Sequence, residues 1–409
     1  MPNLLIIGFV WPEPKSSAAG SRMMQLIHVF LSEGYDITFA SVSSTSENTF
    51  NLESLKVTKV EIELNSSSFD TFIKNLRPDV VLFDRFMIEE QFGWRVAEHC
   101  PEALRILDTE DLHCLRKARE QAFKDKKPFD TSYLFRDIAK REIASIYRSD
   151  VSLIISEVEM TILQNDFGVP GNLLHYLPFL IDETSKEKHE SLPSFNERLN
   201  FVTIGNFLHP PNLDSVRFLK ETIWPKIRTR LKDAELHIYG AYANEKVKQY
   251  ENKTNGFIIK GFAEDVNDVM SKAKVCLSPL RFGAGLKGKF FDALQNGTPF
   301  ITTTIGAEGI IASNSSYDFV TDEVDDIVNQ AIQLYQNEDL WNSQQQIGYK
   351  ILSERFNKTL HTRRFLNKLE NTLIHKETYR IQNFTGAMLN HHTMQSTKFM
   401  SRWIEEKNK

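Results

Sequence analysis

The chain lacks the features that define several protein classes. It has 3 cysteines in 409 residues, and Cys100, Cys114 and Cys276 stand far apart. None is spaced like a metal-binding pair, so neither a disulfide framework nor a zinc site is expected, and the thiols read as reduced. No apolar run approaches the ~20 residues that span a bilayer. No basic leader precedes the first apolar stretch at residues 4–10, so a cytoplasmic chain without a signal peptide is expected. Lys and Arg number 49 against 54 Asp and Glu, a net charge of −5. That lack of positive excess argues against a nucleic-acid partner. No Gly-x-Gly-x-x-Gly follows the first strand, which disfavours a classical dehydrogenase. No Asp-x-Asp pair is present, and the paired His391-His392 alone is poor evidence for a metal, so no metal and no cofactor is expected.

What is present is ordinary for a globular chain: 41% hydrophobic and 25% charged residues, over a length that suits two domains. Short apolar runs alternate with helical periodicity. Residues 4–10, 36–42, 57–64, 79–83, 104–107 and 151–155 read as strands of a first doubly wound unit, which residues 173–178 close. Residues 182–198 are charged and hold Ser-Leu-Pro-Ser, a linker signal. Residues 201–204, 236–239, 258–262, 275–280, 300–304 and 319–321 read as strands of a second unit. An amphipathic helix over 360–374 follows, and 376–409 reads as a polar tail.

Residues 274–310 hold the densest chemistry: KVCLSPLRFGAGLKGKFFDALQNGTPFITTTIGAEGI. A buried strand runs into the turn Arg281-Phe-Gly283-Ala-Gly285-Leu-Lys287, then a helix bearing Phe290, Phe291 and Leu294 on one face. Gly297 stops that helix and Pro299 forbids its continuation. A second strand leads into Gly306-Ala-Glu308-Gly309. Glycines let the backbone approach a ligand, and free N–H groups at a helix start attract anions. With Arg281 and Lys287 beside them, the pattern predicts a phosphate or diphosphate pocket. Asp292 and Glu308 are acceptor-only carboxylates suited to hydroxyl groups such as those of a ribose. Glycines alone would fit an ordinary doubly wound turn; two cations and two carboxylates bracketing one helix favour the ligand site.

The stretch resembles the nucleotide-sugar half of GT-B glycosyltransferases, in the family-4 or "group 1" branch. The carriers are residues 279–287, Asp292-Ala293, Gly297-Thr-Pro299 and Gly306-Ala-Glu308-Gly309. The branch often carries a pair of glutamates; here the first falls at Ala284 and the second at Asp292, which shortens the reach at the ribose-contacting position. The resemblance implies an α/β fold of two Rossmann-like doubly wound domains facing across a cleft. The boundaries expected are 1–182 for the acceptor-side domain, 183–199 for the linker, 200–358 for the nucleotide-sugar domain, and 359–409 for a crossover helix and tail. It implies transfer of a sugar from a nucleotide diphosphate sugar donor to a glycan, lipid-linked or small-molecule acceptor, with retention. Gly205, Asn206, Phe262, Arg281, Gly283, Gly285, Lys287, Asp292 and Glu308 would bind the donor, with Phe262 touching the nucleobase or belonging to the core. Arg281 and Lys287 would stabilise the leaving diphosphate.

In the first half, residues 108–116 crowd Asp108, Glu110, Asp111 and His113 at a strand end, where open α/β sheets place ligands. Asp111 or His113 would be catalytic by the resemblance; the alternative is that the acids cap the next helix. The first loop carries one glycine, Gly20, with Arg22 two residues on, and an acceptor or phosphate contact there is implied by resemblance. Residues 115–129 are rich in Lys and Arg, either a solvated helix or a peripheral contact with the inner membrane face. Two alternatives stay open: a degenerate GT-B protein that binds nucleotide or a partner without turnover, and an epimerase or phosphorylase on the same fold.

Overall fold

The computed structural model describes residues 1–183, 186–312 and 315–408. Two parallel sheets form the frame. The first holds β1 (Asn3–Gly8), β2 (Asp36–Ser41), β3 (Thr58–Glu61), β4 (Val80–Asp84), β5 (Leu104–Asp108), β6 (Val151–Ile154) and β7 (Leu174–Tyr176), in the order β3-β2-β1-β4-β5-β6-β7. The second holds β8 (Leu199–Ile204), β9 (Leu236–Tyr239), β10 (Phe257–Gly261), β11 (Ala273–Leu277) and β12 (Phe300–Ile301), in the order β10-β9-β8-β11-β12. Continuous Val/Ile/Leu runs such as Leu-Leu-Ile-Ile in β1 and Val-Val-Leu-Phe in β4 need cover on both faces, which crossover helices supply. The register Leu4↔Val80 through Ile7↔Phe83 places these runs side by side in the middle of the first sheet. Separate apolar clusters fill the two faces of the first sheet, and a third cluster fills the second domain.

The strand order reverses beside β1 in the first sheet and beside β8 in the second. Each reversal opens a crevice at the carboxyl ends of the strands, where the connecting loops diverge. The loops after β1, β4, β5, β8 and β11 therefore carry the groups described below.

Several boundaries differ from those read in sequence. β1 stops at Gly8, so Phe9 and Val10 leave the sheet and are exposed. β11 ends at Leu277, although Ser278 N still donates to Ile301 O at 3.0 Å. Residues 319–321 form an isolated bridge, Thr302↔Val320, in place of a strand. Thr184 and Ser185 of the expected linker lie outside the described residues, and its last residue, Arg198, belongs to the second domain. Arg198 is buried and donates to Pro193 O, Ala273 O, Thr298 Oγ1 and Asn296 O.

The chain passes between the domains twice, and the two passages hydrogen-bond to each other. Ile181 N donates to Phe356 O and Lys358 N donates to Ile181 O, both at 2.9 Å. The helix that follows, Lys358–Gln382, is longer than its sequence periodicity suggests and returns to the first domain. It delivers Phe365 and Leu369 into that domain's core and seats Arg380 on Asp150, with Nε 2.7 Å from Oδ1. The expected polar tail is instead a second helix, Phe384–Lys407. Its polar side faces the first domain: Ser401 accepts from Arg95 at 3.0 Å, and Lys398 reaches Glu98 at 2.8 Å. Gly386 is required where the helix touches Tyr147 O, since a Cβ there would fall 2.1 Å from it. The absence of an inward apolar stripe is what makes this segment read as a tail. Its apolar side chains, Phe384, Met388, Phe399 and Trp403, point to solvent.

Phe365 is 1% exposed and packs edge-on against Phe30 at 5.7 Å. Phe365→Ala is expected to cost about 3–5 kcal/mol in the first domain. Urea unfolding followed by first-domain and second-domain probes checks this; an unchanged first-domain midpoint would refute the docking of the crossover helix.

Candidate active site

The second domain contributes the turn between β11 and the helix Gly288–Gln295. Gly283 and Gly285 have φ of +153° and +63°, the latter a left-handed conformation natural to glycine. Lys287 is the N-cap residue of the helix and its Nζ donates to Gly285 O at 2.8 Å. Lys289, one residue past the helix start, donates from Nζ to Asn212 Oδ1 at 2.8 Å. Burial depresses both lysines to about 8; Glu308 opposes the shift at Lys287, and Cys276 and Asp292 oppose it at Lys289. Asp292 faces Lys289, and burial pushes its carboxyl up to about 7 in spite of that cation.

Arg281 is placed differently from the expectation. Its Nε and Nη2 lie 2.8 and 2.7 Å from the Asp214 carboxylate, and its guanidinium lies over Phe123 at 4.6 Å and Phe218 at 4.4 Å. Its charge is thus paired and stacked, and the unpaired cation expected beside the glycine turn is Lys289, which the sequence reading passed over. Glu308 is likewise engaged: Arg119 of the first domain grips it with two hydrogen bonds at 2.9 and 2.6 Å and also donates to Gly283 O at 2.9 Å. Burial alone would raise the Glu308 pKa, but Arg119 and then Lys287 hold it below the usual carboxylate range.

Gly205 and Asn206 follow β8. A Cβ on Gly205 would strike Asn212, and Asn206 Nδ2 reaches Ser16 O across the cleft at 3.5 Å. Phe262 follows β10, at the sheet edge, three strands from β11. That spacing is roughly 14 Å, the reach of a nucleotide laid across strand ends.

The first domain meets the turn through its β5 loop. Asp111 lies against Gly285, where a Cβ would come 2.8 Å from the Asp111 Cβ. Burial would raise the Asp111 carboxyl, but Arg116 at 2.7 Å and His113 at 3.4 Å hold it well below the ordinary range, so it stays charged. Burial pushes His113 down to about 4, with Asp111 opposing and Arg116 adding to the shift, so it is neutral at pH 7. His209 from the loop after β8 shares this environment and is also pushed to about 4, by burial first and Arg116 next.

The acids of this loop do not cap the following helix. Glu142, from the helix Asp137–Arg148, accepts from His113 N at 2.9 Å and Cys114 N at 2.8 Å. Asp108 is instead the buried partner of Arg22, whose Nη2 lies 2.8 Å away and whose Nη1 donates to Leu177 O at 2.7 Å. Arg22 is 1% exposed and fully committed, which corrects its assignment to an acceptor or phosphate contact. Gly20 is covered by the Glu13 backbone and its N–H is taken by Ser17 Oγ. The first loop meets the second domain through Ser16 O and through Glu13, which accepts from Tyr242 Oη at 2.9 Å, and Ala18, at the start of the helix that follows, adds a close approach: a Cβ on Gly288 would fall 2.8 Å from the Ala18 Cβ. The small residues of that loop permit the domains to touch.

Two non-glycine residues at these strand ends have positive φ, Arg85 (φ +73°) and Glu110 (φ +61°). Such conformations cost about 1–3 kcal/mol and cluster at ligand sites. No sequence signal marks them. Among the described residues, no group of three or more His, Cys, Asp or Glu could hold a metal ion.

With the geometry in place, the likeness to known proteins becomes specific. Residues 198–337 match the family described as glycosyl transferases group 1. Sucrose-phosphate synthase from Thermosynechococcus elongatus superposes with a TM-score of 0.68 at 12% identity, over 91% of this chain and 99% of that one. The chain has the GT-B fold. HepE of Anabaena, solved with UDP-glucose, gives a TM-score of 0.68 at 11% identity, over 91% of this chain and all of that one. An S. aureus TarM variant, solved with UDP, is 14% identical with a TM-score of 0.56, and this chain covers 57% of its length. In sequence, an uncharacterized 44.6 kDa protein in the cps region of Klebsiella pneumoniae is 25% identical over 177 residues, 42% of this chain and 42% of that protein. The group 1 domain thus contains the turn, both lysines, Asp292 and Glu308, while Asp111, His113 and Arg119 reach it from the other half of the GT-B fold.

Gly285→Ala is expected to force the Asp111 loop and the turn apart, at a cost of about 1–3 kcal/mol. Gly34→Ala is the control, since Gly34 has a similar φ of +77° with nothing within 4 Å. Equal losses of stability and equal small-angle scattering profiles in the two variants would show that the contact with Asp111 is unimportant.

Proposed function

We propose that this GT-B protein transfers a sugar from a nucleoside diphosphate sugar to an acceptor, with retention at the anomeric carbon. The observation that carries the reading is the meeting of Lys287, at the head of the helix Gly288–Gln295, with a charged Asp111 across the cleft: Asp111 lies against Gly285, whose carbonyl oxygen accepts from Lys287 Nζ. As the glycosidic bond breaks, negative charge grows on the diphosphate and positive charge on the anomeric carbon. The lysines oppose the first charge and Asp111 the second, as groups already in place and partly shielded from water. Arg281 acts beside them through its pair with Asp214, and Gly205, Asn206 and Phe262 line the path for the nucleoside. Asp292 and Glu308 receive the ribose hydroxyls, Glu308 after Arg119 yields it. His113, neutral at pH 7, serves as a hydrogen-bonding group to the sugar. No step needs a cofactor. HepE and TarM, solved with uridine nucleotides, support the donor class.

The acceptor class is a glycan or a lipid-linked sugar. A peripheral membrane contact would accompany the lipid-linked class. Residues 115–129 do not support it, since Arg116 and Arg119 are spent in the cleft and Lys117 and Lys124 on Glu120. The outward ridge of Phe384–Lys407 offers apolar surface in their place. A binder without turnover is the second reading, favoured by the pairing of Arg281 with Asp214 and of Glu308 with Arg119.

A thermal-shift panel of nucleotide sugars, followed by a transfer assay, separates the two. A donor at about one hundred times its dissociation constant adds roughly 2.7 kcal/mol of stability. Lys287→Ala is expected to lower turnover on the order of 100-fold or more with little change in melting temperature. Wild-type turnover in that variant would remove the lysine from the mechanism. Both lysines carry charge below about 8 and lose it above. Nucleoside diphosphate affinity should therefore weaken as pH rises from 7 to 9, and a Lys287→Met, Lys289→Met double variant should bind weakly with a flat pH profile over that range.

A further inference from the structure

Glu159 lies on the helix Glu157–Asn165 of the first domain, outside every motif discussed above. It is fully buried, and a single oxygen, Oε1, accepts two backbone hydrogen bonds. One comes from Leu112 N at 3.0 Å, the residue after Asp111. The other comes from Gly285 N at 2.8 Å, in the turn of the opposite domain. Gly285 O in turn accepts from Lys287 Nζ at 2.8 Å. The path from Asp111 to Lys287 thus runs through one carboxyl group. We propose that Glu159 is a positioning residue that ties the Asp111 loop to the Lys287 turn, so that closing the cleft and assembling the site are a single event.

Backbone N–H groups buried without a partner are costly, so Leu112 N and Gly285 N need an acceptor whenever the cleft is closed. A Cβ on Gly285 would come 2.8 Å from the Asp111 Cβ, so the two domains meet closely beside this N–H. Glu159 Oε2 is buried without a hydrogen-bond partner, a state tolerable for a neutral acid and expensive for a carboxylate. Burial, and Asp111 beside it, push the acid up to about 8, with Leu112 N, Gly285 N and Lys287 pulling back, so it is mainly neutral at pH 7. A neutral, two-bond acceptor at a domain boundary suits a latch that must open and re-form, because parting the domains strands no charge.

This inference rests on the transferase reading for its activity arm only. The test compares Glu159→Gln, which keeps the acceptor oxygen and mimics the neutral acid, with Glu159→Leu, which keeps the bulk and loses the acceptor. Inorganic pyrophosphate is the probe for the lysine site, because it needs that turn alone. In Glu159→Leu, kcat for sugar transfer should fall on the order of 100-fold, as misplacement by about an ångström does, with pyrophosphate affinity kept within about threefold. Its small-angle scattering should show a larger radius of gyration than the wild type. Glu159→Gln should restore both turnover and compactness. Wild-type scattering from Glu159→Leu would overturn the proposal. So would equal losses in both variants of turnover, pyrophosphate affinity and melting temperature, which describe a merely structural residue. If the wild-type protein transfers no sugar from any donor, the transferase reading fails, and scattering alone then decides the role of Glu159.

Discussion

The site depends on two backbones meeting with almost nothing between them. Gly285 touches Asp111, and Gly288 touches Ala18, each at a distance that a single methyl group would close. Both contacts join the first domain to the turn and helix start of the second. A glycine in a loop is usually explained by its backbone conformation, and Gly285, with its left-handed φ, needs that freedom as well. Gly288 does not: it opens a regular helix, and its lack of a side chain serves the other domain. The steric constraint brings Asp111 and Lys287 close enough to act on one small molecule.

Electrostatics builds on that contact. The cleft gathers Lys287, Lys289, Arg116, Arg119 and Arg281, and the protein itself supplies counter-ions for most of them. Arg281 has Asp214, Arg119 has Glu308, and Arg116 has Asp111. The two lysines have neutral oxygens instead, Gly285 O and Asn212 Oδ1. A buried cation held by a neutral acceptor is less well compensated than one in an ion pair, which is why both ammonium groups lose affinity for their protons. The same imbalance makes them the positions at which an incoming anion gains most. The pair of Arg119 with Glu308 crosses between the domains and compensates both charges where they meet.

Closure in turn needs a fixed axis, and the two crossing segments at Ile181 and Asn357 provide it by bonding to each other. Past that point the helices Lys358–Gln382 and Phe384–Lys407 clamp onto the first domain by Phe365, Leu369, Arg380 and Lys398. The chain's last fifty residues are therefore part of the first domain in space, although they follow the second in sequence.

What the sequence determined by itself was local. Apolar runs of Val, Ile and Leu set the strands because a parallel sheet is dry on both faces, and Arg281, Lys287 and the two glycines between them suggested an anion site because backbone freedom and charge are properties of single residues. Fold class, and the match of residues 198–337 to the glycosyl transferases group 1 family, were legible for that reason. The tertiary structure decided which charges are free. Arg281 stood out in sequence and Lys289 did not, yet Arg281 faces Asp214 and Lys289 the uncharged Asn212, residues some seventy positions away. Arg22, in a loop that suggested a ligand, is drawn inward by Asp108. Glu159 and Arg119 look like ordinary helix residues until the second domain is laid against them. The last helix hid as a tail because it docks by hydrogen bonds and leaves its apolar side outward. Pairing between distant side chains depends on geometry that no local pattern carries, so only the folded chain could assign these roles.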